Sequence, residues 1–113
     1  MNMAEVDLAE ISGIGAWTLE ERKRDDGQIE ERIYRVKRGD EVGKAFLVMR
    51  PKTLEVRSER NLGKRLRDEY ETVMESRYFG RGGVEIVPSG QLSKEEIDDL
   101  IRLSYNLTME MRE

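Results

Sequence analysis

Cysteine and histidine are both absent from the 113-residue chain, and there are only two prolines and one tryptophan. Without cysteine there is no disulfide, no thiol nucleophile and no thiolate metal site. Without histidine the commonest general base and the commonest transition-metal ligand are both gone. Most small-enzyme mechanisms fall with these two absences. No stretch of about 18 apolar residues and no basic segment leading into an apolar one is present, so neither a membrane span nor a secretory leader is expected. Walker A, the dinucleotide glycine fingerprint and an acidic metal loop are missing too. The composition therefore points to a soluble cytoplasmic protein that is not an enzyme and carries no cofactor and no metal. Scarce proline, absent cysteine and abundant Lys, Arg and Glu would also suit heat adaptation.

What the chain has in quantity is charge, at 39% of residues, and it is sorted by position. Residues 1–31 hold nine acids against three bases, residues 32–81 fourteen bases against eight acids, and residues 82–113 seven acids against three bases. A basic centre between acidic ends attracts a polyanion, or it is matched internally by acidic termini folded over it.

The apolar pattern divides this chain into periodic segments of one domain, residues 1–113. Met3, Val6 or Asp7, Glu10, Ile11 and Ile14 recur at near-helical spacing and predict a short helix over about residues 3–12, closed by Gly13 and Gly15. Alternation from Trp17 to Arg24 predicts a strand. Asp26-Gly27 then predicts a type I′ hairpin, returning from about Gln28 to Lys37. Lys44–Arg50 contains Ala45-Phe46-Leu47-Val48-Met49, apolar on both faces, the expected central strand. Leu54 and Val56 alternate with Glu55 and Arg57 in a fourth strand. Ser58 is the expected N-cap of a helix from Glu59 to about Met74, buried along Leu62, Leu66, Tyr70 and Val73. Ser76–Gly83 reads as a glycine-rich loop and Val84–Val87 as a short fifth strand. Ser93 and Glu96 form a capping box for a last helix, Lys94 to about Met111, with Ile97, Leu100, Ile101, Ser104, Leu107 and Met111 on one face. The order implies an α+β domain: a mostly antiparallel sheet of about five strands with helices on one side.

Three constellations bear on function. The first hairpin is polar on both faces near its tip, so it projects into water like a wing. Its Arg22, Lys23 and Arg24 either meet phosphates, since a two-stranded ribbon fits a major groove, or serve in cross-strand pairs that keep the ribbon soluble. On the Glu59 helix, Arg60, Lys64 and Arg67 fall within about 60° of one another opposite the leucines. They form a cationic stripe about 10 Å long, able to follow a few phosphates or simply to be a solvated face. The loop Arg77-Tyr78-Phe79-Gly80-Arg81 combines bases, rings and glycine, suited to phosphate contact and base stacking. Alternatively its two aromatic rings tuck into the core. Trp17 and the methionines read as core or edge packing. Asp25/Asp26 and Asp98/Asp99 are neighbours in sequence that point apart, so neither is a paired-carboxylate site.

Residues 32–108 resemble the MmcQ/YjbR family through Lys44-Ala45-Phe46, Leu54-Glu55-Val56-Arg57 and Leu66-Arg67-Asp68-Glu69-Tyr70. The run from Leu92 to Leu107, ending in Ser104-Tyr105-Asn106-Leu107, carries the resemblance furthest. The resemblance implies a small α+β fold with a double-wing arrangement, described on structural grounds as DNA-binding. The chain departs from the pattern where the family has an Asn-Lys-x-x-Trp-like segment. Arg81 stands near the basic position there, Val84 replaces the Trp, and Ile11-Ser12-Gly13-Ile14-Gly15 replaces an N-terminal Pro-Gly turn.

The expected function is non-enzymatic binding of duplex DNA through phosphates. Arg60, Lys64 and Arg67 form one patch, Arg77 and Arg81 a neighbouring one, and Arg22, Lys23 and Arg24 a wing. The alternative is a protein-interaction or chaperone-like module, its acidic helices or sheet edge docking a protein partner or a second copy.

Overall fold

A computed structural model describes residues 6–111. The strands are β1 (Trp17–Lys23), β2 (Ile29–Arg38), β3 (Glu41–Met49), β4 (Leu54–Arg57), β5 (Val73–Ser76) and β6 (Gly80–Ile86). They form one antiparallel sheet in the order β1-β2-β3-β4-β6-β5. Two helices, α1 (Arg60–Glu69) and α2 (Lys94–Glu110), pack against it in an α+β arrangement.

Alternation sorts the sheet into two faces. Leu47, Met49, Leu54, Val56, Val84 and Ile86 join Leu100, Ile101 and Tyr105 of α2 in the main core. The register of β2 against β3 skips between Tyr34–Leu47 and Arg35–Ala45, a bulge that turns the consecutive residues Phe46 and Leu47 into the same core. Burying about a dozen large apolar side chains at 1.5–3 kcal/mol each is the main stabilising term. Ser104 Oγ stitches α2 to the sheet, donating to Phe46 O and accepting from Arg57 N. The capping box forms as expected, Ser93 Oγ accepting from Glu96 N and Glu96 from Ser93 N. At the other end of α2, Arg38 donates to the carbonyls of Thr108, Met109 and Met111, satisfying groups that a helix C-terminus leaves without partners. Leu107 is only half-buried and Met111 is exposed, while Thr108 between them is fully buried.

Several expectations are corrected. The N-terminal helix reduces to a 3-10 turn, Leu8–Glu10, capped by Asp7, and Met3 lies outside the described residues. The hairpin turn is not type I′, since Gly27 alone has positive φ (+86°) and Asp26 does not. Arg24 N donates to Gln28 O and Gly27 N to Arg24 O, a three-residue loop with glycine at its left-handed position. Helix α1 stops at Glu69, five residues short of the expected end, and Val73 is buried as part of a sixth strand, β5. The Ser76–Gly83 loop is mostly the β5–β6 turn and the start of β6. Ser58 does not cap α1: Glu59 holds the N-cap position without a side-chain bond, and Ser58 Oγ is buried with no partner among the described residues.

Candidate nucleic-acid interface

The sequence left open whether the basic centre is matched internally, and the ion pairs answer in part. Arg32, Arg35, Arg50 and Arg77 from the basic segment bond Glu21, Glu20, Glu31 and Glu85 from the acidic ends, at 3.1, 3.4, 2.7 and 2.6 Å. These pairs lie on the sheet, where strand register brings distant charges together. Among the described residues helix α1 takes no part in that matching.

On the sheet face away from the helices, Glu55 and Glu85 are buried cross-strand neighbours. Glu55 accepts from Arg50, from Ser76 Oγ at 2.7 Å and from Tyr78 N at 2.8 Å. Glu85 accepts from Arg77 Nε and Nη2 and from Thr53 Oγ1. Burial pushes the Glu85 carboxyl up, but the bonds from Arg77 and Thr53 with the charges of Arg77 and Arg50 outweigh it and hold it below its ordinary range. The bond to Glu85 raises Arg77 correspondingly. Glu55 thus pins the turn that carries Arg77, Tyr78 and Phe79. The two rings, edge-to-face at 5.0 Å, pack over Ile33, Ala45 and Val48. Phe79 sits where a Gly83 Cβ would come within 2.7 Å of it, and the Arg57 guanidinium lies 4.7 Å from the ring centroid. The rings are thus partly buried against a small second core, and the Arg57 guanidinium already lies over Phe79.

Each expected site residue now has a place. Arg22 pairs with Glu20 and Glu31, and Arg24 with Asp26. The wing is exposed from Leu19 to Gln28, as expected, but these two cations are committed to it, leaving Lys23 without an acidic partner among the described residues. Arg77 is committed to Glu85. On α1, Arg60 and Lys64 are exposed and Arg67 is half-buried against Gly63; Lys64 bonds Asp68 one turn on, at 3.1 Å. Among the described residues Arg60, Arg67 and Arg81 meet no carboxylate, and neither does Arg65, which the stripe argument missed because it lies off the 60° arc.

The backbone joins two of these groups. Ser58 N donates to Gly82 O at 2.9 Å, so the chain entering α1 runs beside the start of β6. Arg57, Arg60 and Arg81 therefore come from adjoining backbone at one corner of the sheet, with Lys64 a turn further along α1. Arg77 does not belong to this corner: its side chain is turned to Glu85. A groove of about 200 Å³ between α1 and α2 has a floor of Leu62, Leu100, Leu103 and Leu107 and a rim bearing Glu59 and Glu110. Among the described residues no three His, Cys, Asp or Glu side chains are placed to hold a metal ion, and no helix is long and apolar enough to cross a membrane. No family model, curated protein or solved structure matches this chain.

Proposed function

We propose that the chain binds duplex nucleic acid through its phosphates, with little base specificity, using the corner where α1 meets β6. The observation that carries this reading is the Ser58–Gly82 bond, which aligns the start of α1 with the start of β6. Arg60 and Arg81 are exposed there without a carboxylate partner among the described residues, and half-buried Arg67 lies about two turns further along α1. An exposed cation with no carboxylate partner is free to meet an external anion, even in a chain of net charge −4. The resemblance of residues 32–108 to the MmcQ/YjbR family points the same way. Backbone-directed contact by three or four side chains gives weak, salt-sensitive, sequence-independent association.

Fluorescence anisotropy with a labelled mixed-sequence duplex tests this. The logarithm of the affinity should fall with the logarithm of salt at about 0.9 per phosphate engaged, giving a slope near three for three contacts. The change Arg60→Gln, Arg67→Gln, Arg81→Gln should flatten that slope toward zero. A wild-type chain that fails to bind at low salt removes the reading.

A further inference from the structure

Among the described residues strand β1 has a hydrogen-bonded neighbour on one side only. Ala16 O accepts from Lys37 N, so along the regular strand Thr18 and Glu20 turn their backbone groups toward β2. Those of Trp17, Leu19 and Glu21 turn outward. Trp17 and Leu19 are also 39% and 44% exposed, although they share a face with buried Tyr34, against which Trp17 packs edge-to-face. Helix α2 lies mainly over β3 and β4, leaving this border uncovered among the described residues. Free backbone groups beside an exposed Trp and Leu make a template for another strand.

The strand is self-compatible with a second copy in one register, and like-charge repulsion selects that register. If two copies of β1 meet antiparallel about a two-fold axis normal to the sheet, opposed side chains share a face, so the axis passes through one residue and its twin. Centring on Glu20, Glu21 or Arg22 sets like charges against each other, which is destabilising. Centring on Thr18 uses only Trp17–Leu19 of the strand. Centring on Leu19 opposes Leu19 to itself, Thr18 to Glu20, and Trp17 to Glu21, whose carboxylate Arg32 already holds at 3.1 Å. That register opposes no like charges, pairs the outward backbone groups of Leu19, and covers the exposed Trp17 and Leu19 of both copies. The register shift at Arg22/Lys23 ends the ladder there.

We infer that β1 pairs antiparallel with β1 of a second copy, the two-fold axis passing through Leu19, so that the two six-stranded sheets become one. Because the same edge is used by both copies, the assembly closes at two. The pairing stands apart from the nucleic-acid reading and is measured without nucleic acid.

Sedimentation velocity over a concentration series should show the mass rising from 13.2 kDa toward twice that value. Leu19→Lys and Leu19→Glu should each stay monomeric and an equimolar mixture should dimerise, because position 19 opposes only itself. The chain has no cysteine, so Leu19→Cys supplies one thiol per copy. Facing residues of a hydrogen-bonded antiparallel pair have Cα atoms about 5.5 Å apart, within disulfide range. Diamide should therefore cross-link Leu19→Cys rapidly and Thr18→Cys or Arg22→Cys slowly. A wild-type mass that holds at 13.2 kDa to about 1 mM, the weak end of specific association, overturns the inference. So does a mixture of the charged variants that remains monomeric, or equal cross-linking at all three positions.

Discussion

Glu55 and Glu85 face each other across β4 and β6, both buried, with 0% and 4% of their surface exposed. Two like charges so placed repel unless each has its own cation, and Arg50 and Arg77 supply them from opposite sides.

The two arginines differ in how far they are from water, and that sets the first prediction. Arg50 is 15% exposed and bridges Glu55 to Glu31, whereas Arg77 is 63% exposed. Removing one partner of a buried pair leaves an uncompensated charge, at about 3–5 kcal/mol. Arg50→Ala should approach that cost in urea titration. Arg77→Ala should cost about 1–3 kcal/mol, since Thr53 still serves Glu85 and water reaches the site. Equal losses would show that exposure does not govern the network.

Glu85 also fixes the acid limb of stability. Its folded-state carboxyl lies below its ordinary value of 4.5 because the bonds from Arg77 and Thr53 outweigh burial. A carboxyl depressed on folding contributes stability that is fully present above the unfolded value and is lost as pH falls through the folded one. Resistance to thermal unfolding should therefore fall below pH 4.5, and Glu85→Gln should flatten that limb while lowering stability at neutral pH. An unchanged acid limb in the variant would assign the loss to other carboxyls.

Helix α2 supplies the third prediction. Ile101 is fully buried beneath it, so Ile101→Ala should cost about 2–4 kcal/mol through lost transfer and a residual cavity. Ser93→Ala breaks the capping box at about 1 kcal/mol. A loss under about 0.5 kcal/mol for Ile101→Ala would be that of an exposed position.

Local signals were legible in the sequence and non-local ones were not. The span of β4 and the capping box on α2 depend on residues within a few positions of each other, and both were read with the bounds they have. The end of α1 was not, because Leu62, Leu66, Tyr70 and Val73 continue a helical period by spacing alone. Val73 is buried instead by pairing with Ile86, thirteen residues on. The glycines of 80–83 read as a loop, yet Gly83 lies inside β6, where its missing side chain makes room for Phe79. Of the basic residues, helical spacing singled out Arg60 and loop composition Arg81, with no means of telling these two from the carboxylate-paired Arg22, Arg24 and Arg77. That distinction is a matter of strand register, which decides which acid stands beside which base.

Gly83 gives a direct test of that packing. A Cβ there would meet Val56 O and come within 2.7 Å of Phe79 Cβ. Gly83→Ala should therefore displace the ring and its Arg57 partner, costing about 1–3 kcal/mol as overpacking does. A variant as stable as wild type would mean that both the β4 backbone at Val56 and the 77–79 turn give way freely.

The last prediction separates the arginines by what they already hold. Arg60 and Arg81 are exposed without a carboxylate among the described residues, while Arg77 is bonded twice to a buried one. Exposed unpaired charges contribute little to folding, and each phosphate contact adds about 0.9 to the salt slope. Arg60→Gln and Arg81→Gln should therefore each lower the slope by about one contact and leave the urea midpoint nearly unchanged. Arg77→Gln should do the reverse, lowering the midpoint and leaving the slope in place, because its guanidinium is spent on Glu85. Measuring both quantities on the same three variants decides the matter. Should Arg77→Gln flatten the salt dependence as much as Arg60→Gln, the phosphate path runs over the sheet face and the corner at Ser58–Gly82 loses its role.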